Sequence, residues 1–480
     1  MAPTSARDWL DLVLDPGWTL LFEDVISGDP LNFPGYAEQL RAAREKTGCT
    51  EAVLVADGLI EGSRRIVISF EFGFLGGSMG VAAGERICRA FERAAEEQIP
   101  VVALTASGGA RMQEGMLALS QMPATLVARQ KLAARRMPFV CFLRNPTTGG
   151  MYASFASAAD LLWAEPGATI GFAGPRVAET VTGEPLPPDA HTAESAFVAC
   201  LVDALVEPRD LRARLIVALT DSGDQTQSDT PSMPTEPRPS NVDTWTRVQL
   251  ARHDKRPTGS DLVEIFEPLR RGGCDQTVVT GLARFGLRPA VVIAQNRHAT
   301  HGRTTPGGYE RVRRAIAFAD RFGAPIVTLI DTPGADPSNE SERDGIAGEI
   351  SATFLRLLAA RGPTIAIVVG EGGSGGALAL AACDKLLMLE NSIFSVIGPE
   401  AAAAILRRSD IPSIAGDLKL TAHDLLKLGI ADRVLPEPQN GAHLDREATR
   451  IIVNNAIQAA LETLGTAPSK RRFERWRVHR

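Results

Sequence analysis

The chain predicts a layered α/β protein made of two copies of one domain, and three observations carry that prediction. Short apolar β-rich runs alternate with helix-period segments, the second half repeats the first in a steady register, and a proline-rich polar stretch lies between them. At 480 residues the chain is also too long for one compact core.

In the first half RIVISF, VVALT and FVCFL are too short and too continuously apolar for amphipathic helices, and they read as buried strands. Between them ERICRAFERAAEEQ has apolar positions recurring at three and four, the spacing of one helix face. The stretch DSGDQTQSDTPSMPTEPRPSNVD, Asp221 to Asp243, has four prolines and no aromatic residue, too little apolar surface to offset its ordering entropy. It is expected to be a flexible linker, dividing the chain into 1–220, a linker 221–247 and 248–480. Beyond it AVVIA, PIVTLI and TIAIVV repeat the strands, and YERVRRAIAFADRF repeats the helix.

The repeat is specific. IPVVALTASGGA answers to APIVTLIDTPGA, matching Pro100 with Pro325 and Gly109 with Gly334. TTGGMYASFASAADLLWAEPGATIGFAGP parallels GSGGALALAACDKLLMLENSIFSVIGP, which aligns Gly149-Gly150 with Gly375-Gly376, Asp160 with Asp384 and Gly174-Pro175 with Gly398-Pro399. Glycine turns at the ends of parallel strands are where a helix N-terminus can approach a negative charge, so ligand sites are expected there in both halves.

Composition narrows the function classes. With 44% hydrophobic residues, 22% charged and a net charge of -6, nothing suggests a polybasic nucleic-acid surface. No 18-residue apolar run occurs and charges interrupt the N-terminal one, so no membrane span or signal peptide is expected, and a cytoplasmic location is. The six cysteines form no C-x-x-C pair, and His298 and His301 have no carboxylate or cysteine beside them, so the expectation there is a polar loop and no metal.

Longer motifs carry a family likeness. Through FEFGFLGGSMG, SGGARMQEG, PTTGGMYASFA and AEPGATIGFAGPRV the first half resembles the beta subunit of bacterial acetyl-CoA carboxylase carboxyltransferase. Through IDTPGADP, GEGGSGGALAL, FSVIGPEAAAAIL and LKLGIADRVLPEPQNGAH the second resembles the alpha subunit. The resemblance implies two crotonase-like ββα superhelical domains fused in one chain. It also implies transfer of a carboxyl group from carboxybiotin to the α-carbon of acetyl-CoA or a related acyl-CoA, giving malonyl-CoA. Biotin carboxylase and the biotin carboxyl carrier protein would be separate chains, and two domains facing across an interface imply at least a homodimer. Beta subunits carry an N-terminal zinc ribbon that this chain lacks, so zinc is not expected.

In such chemistry negative charge must be stabilised on the thioester enolate oxygen and on the biotin ureido oxygen, a task for fixed backbone N–H groups. The resemblance assigns Gly149 and Gly150 to the first and Gly375 and Gly376 to the second. Gly76, Gly77, Ser78, Gly108, Gly109, Ala110 and Arg111 would shape the acyl-CoA entrance, and Pro333, Gly334, Ala335 and Gly373 the biotin side. Arg111 is weighed between a CoA contact and a surface ion pair with Glu114 or Glu71, and Glu114 is expected to favour the N-terminal end of its own helix. Two alternatives stay open: a biotin-independent decarboxylase of a malonyl-type thioester, and a non-catalytic partner subunit of a carboxylase.

Overall fold

Residues 3–187, 189–219, 231–237, 241–439, 441–465 and 472 are described by a computed structural model. Contacts divide the chain into two units, Met1–Thr220 and Asp221–Arg480.

The first unit is built on one eight-stranded sheet. Its strands are β1 (Thr19–Leu21), β2 (Val53–Ile60), β3 (Ser63–Phe70), β4 (Val101–Ser107), β5 (Phe139–Thr148), β6 (Leu161–Ala164), β7 (Ile170–Gly171) and β8 (Ala204–Leu205). They lie in the order β1-β2-β3-β4-β5-β6-β8, with β7 pairing the far end of β5. β1 to β3 run antiparallel, while β3 to β6 and β8 are parallel. A two-residue loop, Glu61-Gly62, closes the β2–β3 hairpin, both residues having the positive φ such a tight turn needs. The helix α1 (Val81–Glu97) then buries Ala83, Ile87, Ala90, Phe91 and Ala94, one face at the expected spacing, and a second helix, α2 (Gln121–Ala134), packs on it. Because the parallel strands are covered on both faces, β4 is buried along its whole length.

The second unit repeats this order strand for strand. It comprises β9 (Ile265–Pro268), β10 (Val278–Phe285), β11 (Arg288–Gln295), β12 (Ile326–Thr332), β13 (Thr364–Gly373), β14 (Lys385–Leu389), β15 (Ile393–Ser395) and β16 (Arg433–Leu435), ordered β9-β10-β11-β12-β13-β14-β16 with β15 on β13. Its helices are α3 (Pro306–Phe322), α4 (Ile346–Leu358) and α5 (Ser374–Ala381). The hairpin-and-helix unit β2-β3-α1 recurs as β10-β11-α3. Starts at residues 53, 63, 81, 101 and 139 recur at 278, 288, 306, 326 and 364, an offset of 225 each time. Each unit has its own apolar core.

The expected linker 221–247 is corrected in part. Residues 221–230 and 238–240 lie outside the described residues, but residues 244–247 open a helix, Thr244–Ala251, and 231–237 is docked: Met233 packs against the second core and Arg433 Nη2 donates to the Pro234 carbonyl at 2.9 Å. Proline there restricts the chain, so holding it costs less entropy than the composition suggests. Among the described residues no helix is long and apolar enough to cross a membrane, and no three His, Cys, Asp or Glu side chains gather as metal ligands would.

Candidate active site

Three turns meet in the first unit. The 3-10 turn Leu75–Gly77 has positive φ at Leu75, Gly76 and Gly77. The Gly108 N–H donates to the Gly76 carbonyl at 2.9 Å, and the Gly109 N–H donates to Ser107 Oγ at 3.1 Å. A short parallel bridge between Met79 and Ala110 continues the contact. The third turn leaves β5 at Thr148 and enters a helical segment at Gly149, where φ is +69°. Glycine is required there twice over: the left-handed conformation disfavours side chains, and a Cβ would sit 2.9 Å from the Gly109 Cα. At Gly77 a Cβ would overlap the Ala106 carbonyl oxygen. The sequence-predicted residues Gly76, Gly77, Ser78, Gly108, Gly109, Ala110, Gly149 and Gly150 are thus one constellation at the strand ends.

Arg111 belongs to that constellation from behind. The ion pair considered for it is present but not at the surface: Arg111 Nη1 lies 3.4 Å from Glu114 Oε1, and the residue is 1% exposed, its closer carboxylate partner being Glu51. Its Nη2 donates to Glu51 Oε1 at 2.5 Å and to the Ser78 carbonyl at 2.6 Å, and its Nε donates to Ser78 Oγ at 3.2 Å. Burial opposes the charge, but Glu51 and the bonds to it hold the guanidinium above its ordinary pKa. A side chain locked this way ties the Ser78 turn to the Arg111 turn. Glu114 likewise serves a helix other than its own: it accepts from Tyr36 Oη at 2.5 Å and from the Val81 N–H at 2.6 Å, capping α1. No residue of the Gly80 cap does this itself, glycine having no side chain.

The second unit forms the same three turns. Thr300–Gly302 is a 3-10 turn with positive φ at Thr300, His301 and Gly302, each 225 residues after Leu75, Gly76 and Gly77. Thr332 Oγ1 accepts from the Gly334 N–H at 3.0 Å, as Ser107 does for Gly109, and Thr304 bridges Ala335 as Met79 bridges Ala110. Pro333 and Gly334 press on the end of β13, where a Cβ on Gly373 would overlap the Pro333 carbonyl oxygen. The helix α5 then begins with no side chain capping its first N–H groups, and around Gly375 there is open space.

Two sequence expectations change. The glycine pairs are not in strict register: Thr147 and Gly372 occupy the same place beside Ser107 and Thr332, so Gly149 answers to Ser374, Gly150 to Gly375, and Met151 to Gly376. Ser374 has φ +56°, the same left-handed turn as Gly149 made without glycine. Gly376 is therefore explained by packing, since a Cβ there would lie 2.6 Å from Ala335 N and 2.7 Å from Tyr309 Oη. The stretch read as a polar loop is the 3-10 turn of the second site, the counterpart of Leu75–Gly77, and it presents Arg303 where the first site has Ser78. Arg303 Nη1 lies 3.5 Å from the Ala335 carbonyl oxygen and 3.7 Å from where a Gly334 Cβ would be. The signal that could have found it is the 225-residue offset, which puts His301-Gly302 on Gly76-Gly77 despite the missing glycine.

Carboxylates in the second site are all engaged or buried. Glu371 accepts from Arg252 Nε at 3.0 Å and Nη2 at 2.7 Å, and lies 3.6 Å from Arg297. Asp331, next to Thr332, is wholly buried; one oxygen accepts the Glu371 N–H at 3.0 Å and the other has no partner. Burial pushes its pKa up to about 6, against the pull of Arg297.

Comparison with known proteins finds relatives over nearly the whole chain. A family model described as acetyl co-enzyme A carboxylase carboxyltransferase-like matches residues 222–480. The chain is 41% identical to the acetyl-coenzyme A carboxylase carboxyl transferase subunits beta/alpha of Salinispora arenicola, over 99% of this chain and 91% of that protein. It is 37% identical to a probable biotin-dependent acyl-coenzyme A carboxylase beta3 subunit of Mycobacterium tuberculosis, over 93% of this chain and 92% of that one. In fold it is similar to the transcarboxylase 12S core, with a TM-score of 0.76 at 21% identity, covering 97% of this chain and 91% of that one.

Proposed function

Because this chain belongs to the acetyl-CoA carboxylase carboxyltransferase family, with the duplicated crotonase fold of such enzymes, we propose a division of labour between its halves. The first half takes an acyl-CoA, acetyl-CoA foremost, and the second takes carboxybiotin carried by a separate biotin carboxyl carrier protein, loaded by a separate biotin carboxylase. The product is malonyl-CoA. The observation that carries this reading is the repetition of one three-turn constellation in both halves, each ending in a left-handed residue followed by amides at a helix start.

The open space at Gly375 and the uncapped start of α5 fit a ureido ring brought edge-on to the backbone. When bound, that ring supplies an activated carboxyl group and the means to take up the α-proton. The chain's own part is electrostatic and positional. Amides at Gly149 and Gly150 hold the thioester oxygen as it gains charge, and the Gly375 amide, the counterpart of Gly150, holds the ureido oxygen; one such donor is worth roughly 2.7 to 4 kcal/mol. Arg111 and its partners keep the first constellation from reorganising during the reaction. Glu114 and Glu371 are committed to the α1 N-terminus and to Arg252, so neither is free to act as general base. Exposed apolar residues at matched places, Phe172 and Val396, Val181 and Ile405, support self-association of at least two chains.

The test is the reverse reaction with purified protein. Acetyl-CoA formation from malonyl-CoA should require biotin or a biotinylated carrier. Equal CO2 release without biotin would replace this reading with a decarboxylase, and no reaction with any malonyl-type thioester would leave a binding subunit.

A further inference from the structure

The two constellations share a backbone but not a charge, and the difference lies at one position. In the first, Ser78 is neutral and satisfied, donating to the Leu75 carbonyl at 2.8 Å and accepting from Arg111. Arg111, the cation nearby, is neutralised by Glu51 and sealed from solvent. In the second, the same position holds Arg303, which is half-buried. Among the described residues Arg303 forms no ion pair, and its hydrogen bond to the Ala335 carbonyl is long, at 3.5 Å. Asp336, on the adjoining turn, uses its Oδ2 on Ser338 Oγ at 2.5 Å and Ser341 Oγ at 2.6 Å. Asp336 is near enough to be held slightly lower by Arg303 but makes no direct contact with it, and a half-buried guanidinium with no carboxylate in direct contact among the described residues is a place for an anion.

We propose that Arg303 is the anion-recognising side chain of the second site, contacting the carboxylate or oxyanion that forms on the ureido ring during transfer. This rests on the assignment of the second half to biotin. Its chemical sense is clearest in the reverse direction. Malonyl-CoA gives up its carboxylate carbon, the bonding electron pair stays on the α-carbon, and the ring nitrogen forms the new N–C bond while its proton passes to the α-carbon. The ring enters neutral and leaves as an anion, so charge appears on the biotin side only as the reaction proceeds. A cation there lowers the barrier without tightening neutral biotin, and Ser78 at the equivalent place offers the acyl-CoA side no such charge.

The experiment is kinetic analysis of the full-length Arg303→Ser and Arg303→Lys variants in malonyl-CoA-dependent carboxylation of free biotin. Arg303→Ser, which installs the first-half residue, should lower kcat about 100-fold. The KM values for biotin and malonyl-CoA should stay within about threefold and the melting temperature should not move, the side chain being paired with nothing that folding needs. Arg303→Lys should recover part of the loss, and millimolar guanidinium ion, but not urea, should restore Arg303→Ser. A fully active Arg303→Ser, a loss that guanidinium cannot restore, or a rise confined to the malonyl-CoA KM would overturn the proposal. Gly375→Val, assayed beside it, separates the two levels. If Gly375→Val abolishes biotin-dependent turnover while Arg303→Ser is normal, only the role of Arg303 fails; if both are normal, the assignment of the second half to biotin fails too.

Discussion

A charge with no access to water must be paired where it stands or be discharged by a change of protonation, and the two halves show both outcomes. Arg111 takes the first course, paired with Glu51 and hydrogen-bonded to the Ser78 turn. Asp331 takes the second in part: burial raises its pKa from 3.8 to about 6, and one of its oxygens has no hydrogen-bond partner among the described residues. A carboxyl whose folded pKa is raised adds stability below its unfolded value, and that stability is lost as pH rises through about 6. The ionised form at neutral pH therefore costs on the order of 3 kcal/mol. Asp331→Asn keeps an oxygen for the Glu371 N–H, and Arg297 keeps Glu371 as a partner. Its stability relative to the natural chain should climb between pH 4 and pH 7, as read by urea midpoints at each pH; a difference constant across that range would show that Asp331 does not titrate there. The burial was not visible in the sequence, where Arg111 was weighed between a CoA contact and a surface pair with Glu114 or Glu71, because burial of a polar side chain depends on which distant residues fold over it.

Elements were far more legible. RIVISF, VVALT, FVCFL and their second-half partners became β3, β4, β5, β11, β12 and β13, because continuous apolar runs have few other uses in a layered α/β fold. The turns between them were read from glycine pairs and from the TPGA stretch at Gly334, so Thr300–Arg303 was missed and the pairing at the ends of β5 and β13 came out one residue off. The structure equates Gly149 with Ser374, both left-handed, and this has a measurable consequence. Ser374→Gly relieves a conformation that costs an L-residue about 1 to 2 kcal/mol and should leave stability equal or higher. Gly149→Ala must both adopt that conformation and press on Gly109, and should lose at least as much. Chemical denaturation of the two variants checks the equivalence, and destabilisation of similar size in both would contradict it.

At the scale of the whole molecule, one fold appears twice and each copy carries the three turns, and the second places at the Ser78 position an arginine with no carboxylate in direct contact among the described residues. Under the proposed division of labour, duplication would give two different substrates one kind of backbone site, with divergence at positions 78 and 303 telling the sites apart. Gly375 is where this can be tested with least damage to folding, since a side chain there would enter open space. The decisive measurement is of Gly375→Val: biotin-dependent turnover of malonyl-CoA, set against the Kd for malonyl-CoA and the melting temperature of the same preparation. Two sites with separate tasks require turnover to fall at least about 100-fold while affinity and melting temperature stay at their natural values. Full turnover in the folded variant, or a loss of malonyl-CoA affinity with biotin use intact, would contradict the assignment.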